Sequence, residues 1–95
     1  MNSDQARTLQ EAVDRYGLPS QILMVSEEVG ELLSALGKHI RGRKEGTKEA
    51  IITELADVSI MVEQMALHFG YAEYIEERDR KIQRLKERLQ NTTEK

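Results

Sequence analysis

The sequence contains no cysteine and no tryptophan, and it has one proline, three tyrosines and one phenylalanine. The absence of cysteine excludes a disulfide framework, a thiolate metal site and a cysteine nucleophile. Few aromatic residues, together with 33% charged residues, favour amphipathic helices over a β-rich fold. A chain of 95 residues has room for one small core. We therefore predict a single all-α domain over residues 1–95.

No apolar run approaches the roughly 20 residues that a membrane-spanning helix needs, and the first residues lack the apolar centre of a secretory signal. We therefore expect a cytoplasmic protein with no membrane partner. The net charge is −3 and the isoelectric point is about 5.4. This charge argues against a generally basic nucleic-acid-binding surface, so we expect no nucleic-acid partner.

Four segments repeat apolar residues at steps of three and four, as amphipathic helices do. The pattern predicts helices over residues 3–16, 19–40, 48–69 and 71–89, with breaks at residues 17–19, residues 41–46 and Gly70, and a frayed tail over residues 91–95. Asn2 or Ser3 is the predicted N-cap of the first helix, and Thr47 that of the third.

The second and third helices carry the strongest apolar stripes, which we expect to form the core of a four-helix bundle. On the second helix the stripe contains Ile22, Val25, Val29, Leu32, Leu33, Leu36 and Ile40. On the third helix it contains Ile51, Leu55, Val58, Val62, Met65 and Phe69. Because one core of this size is only marginally stable, we predict a homodimer or homotetramer.

Two pairs of acidic residues lie within or beside these stripes. At 100° per residue, Glu54 lies about 40° and Asp57 about 100° from Val58. Glu28 and Glu31 similarly flank the stripe of the second helix. A lone ionised carboxylate at such a position is costly, so it must be protonated, paired with a cation or bound to a metal ion.

The spacing of these pairs lets two facing helices present four carboxyl groups to one space. Carboxylate ligands suit Mg²⁺ or Mn²⁺, whereas a ferritin-like iron site needs Glu-x-x-His pairs, which neither His39 nor His68 completes. A single acidic pair is more often a solvated or salt-bridged face. Spacing alone therefore leaves both a metal site and a charged surface open.

The fourth helix is basic, with six Lys or Arg and two acids between Arg78 and Arg88. Arg78 falls within its apolar seam, and Lys81 and Arg88 lie on the shoulder of that seam. Beside a carboxylate-bound metal, such cations neutralise the charge of a polyphosphate. Alternatively, Arg78 pairs with a buried acid and the others form pairs within the helix.

The acidic positions also carry a family resemblance. Residues 26–32 read SEEVGEL, an EExxE block, and after the 22 residues from 32 to 53 an ExxD block, ELAD, follows at residues 54–57. In order and spacing, this pattern resembles the MazG-like all-α nucleoside triphosphate pyrophosphohydrolases, a group related to the dimeric dUTPases. The resemblance extends over roughly residues 5–89.

The resemblance implies an enzyme that uses Mg²⁺, with Mn²⁺ as a substitute, to hydrolyse a nucleoside triphosphate or deoxynucleoside triphosphate to the monophosphate and pyrophosphate. House-cleaning of non-canonical nucleotides is the implied role. The implied catalytic and metal-binding residues are Glu28, Glu31, Glu54 and Asp57. The implied substrate-binding residues, which contact phosphate, are Lys81, Arg78 and Arg88.

Two other classes of function stay open. The chain could be a non-catalytic nucleotide- or metal-binding regulatory module, or a helical adaptor that pairs through its fourth helix. Gln64, His39 and His68 project on the same sides as the acids, so each could contact a base or ribose or simply lie on the surface. The sequence leaves the role of Glu27 open.

Overall fold

A computed structural model describes residues 1–92 of the chain, and within these residues there are four helices and no β strand. The helices are α1 (Ser3–Tyr16), α2 (Leu18–Ile40), α3 (Lys48–Phe69) and α4 (Tyr71–Asn91). The predicted all-α class is confirmed. Helix α4 includes Asn91, the first residue of the predicted tail, and residues 93–95 lie outside the described residues.

Local side-chain bonds and one glycine set the helix boundaries. The Asn2 side chain accepts a hydrogen bond from the Gln5 backbone at 2.8 Å, and the Gln5 side chain accepts one from the Asn2 backbone, which makes a capping box. Gly17 has a positive φ of 78°, which glycine adopts without strain. The break between α1 and α2 is therefore Gly17 alone. Pro19, predicted to belong to the break, lies in the first turn of α2, where its missing N–H is not needed.

The loop between α2 and α3 is held closed by its own bonds. Nδ1 of His39 lies 3.0 Å from the Gly46 carbonyl oxygen, and the Arg43 backbone donates to the Lys38 carbonyl at 2.9 Å. Gly46 is buried. The two long helices are thereby joined as an antiparallel hairpin, which brings the middle of α2 beside the middle of α3.

Helix α2 turns a different face toward α3 from the one that its apolar stripe predicts. Its inward positions recur at steps of four and three, and they are Gln21, Val25, Glu28, Leu32 and Ala35. The predicted stripe is largely exposed, at Ile22, Val29, Leu33, Leu36 and Ile40. The prediction that the whole stripe lines the core is therefore wrong for a single chain. The inward face is the adjacent sector, which carries the acids.

Helix α3 shows the same rotation. Met61, Gln64 and Ala66 are buried, whereas Leu55 and Phe69 of the predicted stripe are exposed. Helix α1 packs on α3 and more lightly on α2, while α4 packs on α3 alone. All residues from 76 to 92 are exposed, so most of α4 extends away from the other three helices.

The buried apolar core is small. Within the described residues, the fully buried apolar side chains are Val13, Ala35, Met61 and Ala66. The radius of gyration is 16.6 Å, compared with about 13 Å for a compact domain of 100 residues. None of the helices described here is both long and apolar enough to cross a lipid bilayer.

The close packing of Gly46 in the loop predicts that one added methyl group at this position destabilises the fold. A Cβ at Gly46 would lie 2.5 Å from the Lys38 carbonyl carbon and closer still to the His39 backbone nitrogen. We expect Gly46→Ala to lower the free energy of unfolding by about 2 kcal/mol, measured by urea titration. Gly30→Ala is the matched control, because a Cβ there meets nothing within 4 Å. It should raise helix stability by about 0.5–1 kcal/mol. Equal effects of the two changes would contradict this account.

Candidate metal centre

Three carboxyl groups meet between α2 and α3. One carboxylate oxygen each from Glu28, Glu54 and Asp57 lies within 4.8 Å of the other two. Glu28 comes from the inward face of α2, and Glu54 and Asp57 are one turn apart on α3. All three residues are half-buried. This is the convergence that the two acidic pairs predict.

The fourth predicted acid, Glu31, lies at the exposed edge of the same group. Its carboxyl group lies close enough to Glu54 to form a hydrogen bond when Glu54 is protonated, and its charge also acts on Glu28. The structure therefore brings Glu28, Glu54 and Asp57 together, with Glu31 beside Glu54 at the edge of the group. Glu27 is exposed, and its charge has only a small effect on Glu28.

Burial and mutual repulsion disfavour the ionised forms of two of these acids. Burial raises the pKa of Glu28 above its ordinary value of 4.5, and the charges of Asp57 and Glu31 raise it further. Burial also raises the pKa of Glu54, followed by the hydrogen bond with Glu31 and the charge of Glu31. No Lys or Arg of the described chain counters these effects on either acid.

Two oxygens of the cluster lack partners altogether. Oε2 of Glu28 and Oε2 of Glu54 are buried, and neither has a hydrogen-bond partner among residues 1–92. Buried polar atoms in proteins are nearly always hydrogen-bonded. A buried acid of this kind must be protonated, paired with a cation or bound to a metal ion. Among the described residues, no cation of the same chain pairs with these two acids. Protonation and a bound metal ion remain.

The donor set fits a hard divalent cation. Opposite ligands of one Mg²⁺ are about 4.2 Å apart, twice the bond length of roughly 2.1 Å. Neither histidine joins the cluster. His39 bonds the Gly46 carbonyl, and the His68 ring packs against Phe69 with centroids 4.9 Å apart. The three oxygens lie within 4.8 Å of one another, an upper limit that brackets the roughly 3.0–4.2 Å between two ligands of one Mg²⁺, and oxygen ligands alone suit Mg²⁺ or Mn²⁺.

A cavity of about 230 Å³ adjoins the acids. It is lined by Tyr16, Met24, Glu28, Asp57, Ile60, Met61 and Gln64. Beside it, Nε2 of Gln21 donates to Oε1 of Gln64 at 2.8 Å. Gln21 is the most deeply buried large side chain, with 1% exposed, and it was not among the residues predicted from the sequence. The sequence feature that could have identified Gln21 is its spacing, four residues before Val25 and seven before Glu28, which places a polar residue on the same helix face.

The predicted phosphate-binding residues lie elsewhere in the chain. Arg78, Lys81 and Arg88 line one exposed cleft of about 600 Å³ along α4, together with Tyr74, Glu77, Ile82 and Leu85. Within the described chain α4 packs against neither α1 nor α2. A single copy therefore assembles the four acids but not these cations with them, and their role in binding phosphate stays a prediction.

No protein-family model, curated protein or solved structure matches this chain. The arrangement of the cluster, the cavity and the basic cleft is therefore the basis for assigning a function.

The raised pKa values predict an unusual pH dependence of stability without metal. In the range above 4.5, the folded state binds more protons than the unfolded state, so the stability contributed by Glu28 and Glu54 falls as pH rises through their raised pKa values. In EDTA we expect Tm to fall over this range, and to fall less in Glu54→Gln. Added Mg²⁺ should restore Tm at the higher pH, because it binds the ionised native cluster.

Glu27→Gln serves as the control, since this exposed neighbour has the same charge but stands outside the cluster. The Tm of this variant should follow that of the unaltered chain. Thermal unfolding followed by circular dichroism measures both curves. A pH dependence that Glu54→Gln leaves unaltered would contradict the assignment of the effect to the cluster.

Proposed function

We propose that the protein is a Mg²⁺-dependent nucleotide pyrophosphohydrolase of the MazG-like type. It would cleave a nucleoside triphosphate or deoxynucleoside triphosphate to the monophosphate and pyrophosphate, in the house-cleaning of non-canonical nucleotides. The observation that carries the proposal is the cluster of Glu28, Glu31, Glu54 and Asp57. Two of these residues have buried oxygens without a partner, and no cation of the described chain neutralises them.

These four carboxylates would hold the metal. When bound, Mg²⁺ or Mn²⁺ neutralises triphosphate oxygens and lowers the pKa of a coordinated water. The protein's own contribution is to fix the carboxylates on two packed helices and to supply a proton acceptor. One of these carboxylates would accept the proton of the attacking water. The reaction then requires no covalent nucleophile.

The cations that a triphosphate needs would come from a second copy of the chain. Exposed apolar side chains follow α2 and α3, and Ile40 is 84% and Phe69 69% exposed. Exposed apolar side chains in such number mark contacts between proteins. A homodimer or homotetramer would cover them, and α4 of one copy would then bring Arg78, Lys81 and Arg88 to the acids of another. The opposite charges of the two surfaces support this arrangement.

The first test is turnover. We expect the purified protein with Mg²⁺ to release pyrophosphate from at least one nucleotide of a canonical and damaged panel, and to release none in EDTA. Glu54→Gln and Asp57→Asn should each lower kcat/KM by about 100-fold or more, because each removes a ligand and not merely its support. Chromatography of the nucleotide products measures the reaction.

Glu27→Gln is again the matched control, because it removes one acid of the same block without touching the cluster. Its turnover should equal that of the unaltered chain, and circular dichroism should show intact helices in every variant. Full turnover in both cluster variants would remove these acids from the mechanism. Nucleotide affinity without any product would instead indicate the non-catalytic regulatory module.

The second test asks whether copies share a site. Glu54→Gln and Lys81→Ala should each be inactive alone. When the two are refolded together as dimers, half of the dimers are mixed, and each mixed dimer has one site with intact acids and intact cations. About a quarter of the original activity should return. No recovery, with mixed dimers demonstrated by native mass spectrometry, would place acids and cations of one site in the same chain.

A further inference from the structure

A pair of buried amides lies at the cavity beside the acids, where Gln64 lines the wall and Gln21 bonds to Gln64. Gln21 and Gln64 are both more than nine-tenths buried, with 1% and 7% exposed, in a chain whose core otherwise consists of a few small or flexible apolar side chains. Buried glutamines are rare in proteins, and here the two amides bond each other while Oε1 of Gln21 is buried without a partner among residues 1–92. The pair is therefore a specific feature of this hairpin.

The bond between the two amides determines what Gln64 offers to the cavity. Oε1 of Gln64 accepts from Gln21 at 2.8 Å, so its oxygen is occupied. Nε2 of Gln64 has no hydrogen-bond partner within residues 1–92, and Gln64 lines the cavity. Nε2 is therefore the polar group that Gln64 has left to offer a ligand in the cavity, with Gln21 as its positioning residue.

The other walls suit a flat ring. Met24, Ile60 and Met61 are apolar, and the Tyr16 ring borders the cavity from the end of α1. The volume of about 230 Å³ lies below the roughly 300 Å³ of the smallest pockets for drug-sized ligands. The cavity therefore holds one part of a ligand. Aromatic and thioether groups are favourable partners for such rings.

The position of the cavity indicates which part of a nucleotide it would hold. Gln64 is seven residues beyond Asp57 on α3, about 10 Å along the helix axis, and Gln21 is seven residues before Glu28 on the antiparallel α2. Along the hairpin the order is therefore amide pair, apolar cavity and acid cluster. A ribose and a base bridge such a separation when the phosphates lie at the acids.

We propose that this cavity binds the base of the nucleotide and that Nε2 of Gln64, oriented by Gln21, donates a hydrogen bond to a carbonyl oxygen on the base edge. The inference rests on the proposed function for the placement of the phosphates. It adds the expectation that the protein discriminates between nucleotides by their base. Uracil, thymine, cytosine and guanine carry an exocyclic carbonyl oxygen, whereas adenine has none and offers only ring nitrogens as acceptors.

The direct test uses nucleosides without phosphate or metal. The NMR signal of the Gln64 side-chain amide is followed in ¹⁵N-labelled protein in a buffer with EDTA, and it is assigned by its loss in Gln64→Met. This signal should shift on titration with uridine. Adenosine should shift it less at the same concentration, and inorganic triphosphate should leave it unmoved. A Gln64 amide that stays unmoved at millimolar uridine, or that responds equally to both nucleosides, would overturn the proposal.

A kinetic test separates binding from chemistry. In Gln64→Met we expect the ratio of KM for ATP to KM for UTP to fall by about 2- to 10-fold, the effect of one hydrogen bond, with kcat for UTP unchanged. Gln21→Met should lower the same ratio by less, because the Gln64 donor is still present but is no longer held in one orientation. Gln10→Met, which removes an exposed amide on α1, should leave the ratio unaltered. An unchanged ratio in Gln64→Met would count against the proposal.

The two tests fail independently. If uridine shifts the Gln64 amide but no nucleotide is hydrolysed, the base site stands and the proposed enzyme function falls. If hydrolysis proceeds with Mg²⁺ but neither the amide signal nor the KM ratio responds, only the base site falls.

Discussion

Repulsion among four carboxyl groups between two packed helices is the constraint on which the rest of the structure depends. Burial and the neighbouring charges raise the pKa values of Glu28 and Glu54, and each has an oxygen without a partner in the described chain. A fold that needed only helix packing would place apolar side chains there. The inward face of α2 therefore carries an electrostatic cost, which the proposed metal ion would offset.

That choice of face determines where the apolar residues go. Because the sector of α2 that carries Glu28 packs on α3, most of the strongest apolar stripe, including Ile22, Leu33 and Ile40, is left outside. The same rotation exposes Leu55 and Phe69 on α3. The small buried core is thus a consequence of this packing. Assembly of copies is the arrangement that would both cover the apolar surface and supply positive charge.

The hairpin also orders its polar groups along one axis. The Gln21–Gln64 amide pair, the cavity beside Met24 and the acid cluster follow one another between the α1 end of the hairpin and its loop. Each group is fixed by a helix and not by a flexible loop, which is how precise sites are built. The two histidines, by contrast, serve the loop and a ring contact.

Helix boundaries, the N-caps at Asn2 and Thr47 and the candidate acids could be predicted from the sequence, because caps, glycines and three- and four-residue steps are local properties of the chain. Which side of α2 faces α3 could not. Two neighbouring sectors of one helix compete for burial, and only the partner helix decides between them. The role of Gln21 depends on that decision, since a lone glutamine gains its partner, Gln64, 43 residues away only when the hairpin closes. The sequence by itself determined the helices and the identity of the acids, because both follow from near neighbours. Tertiary structure alone decided the convergence of the acids, the buried amide pair and the separation of α4, because each depends on contacts between residues far apart in the chain.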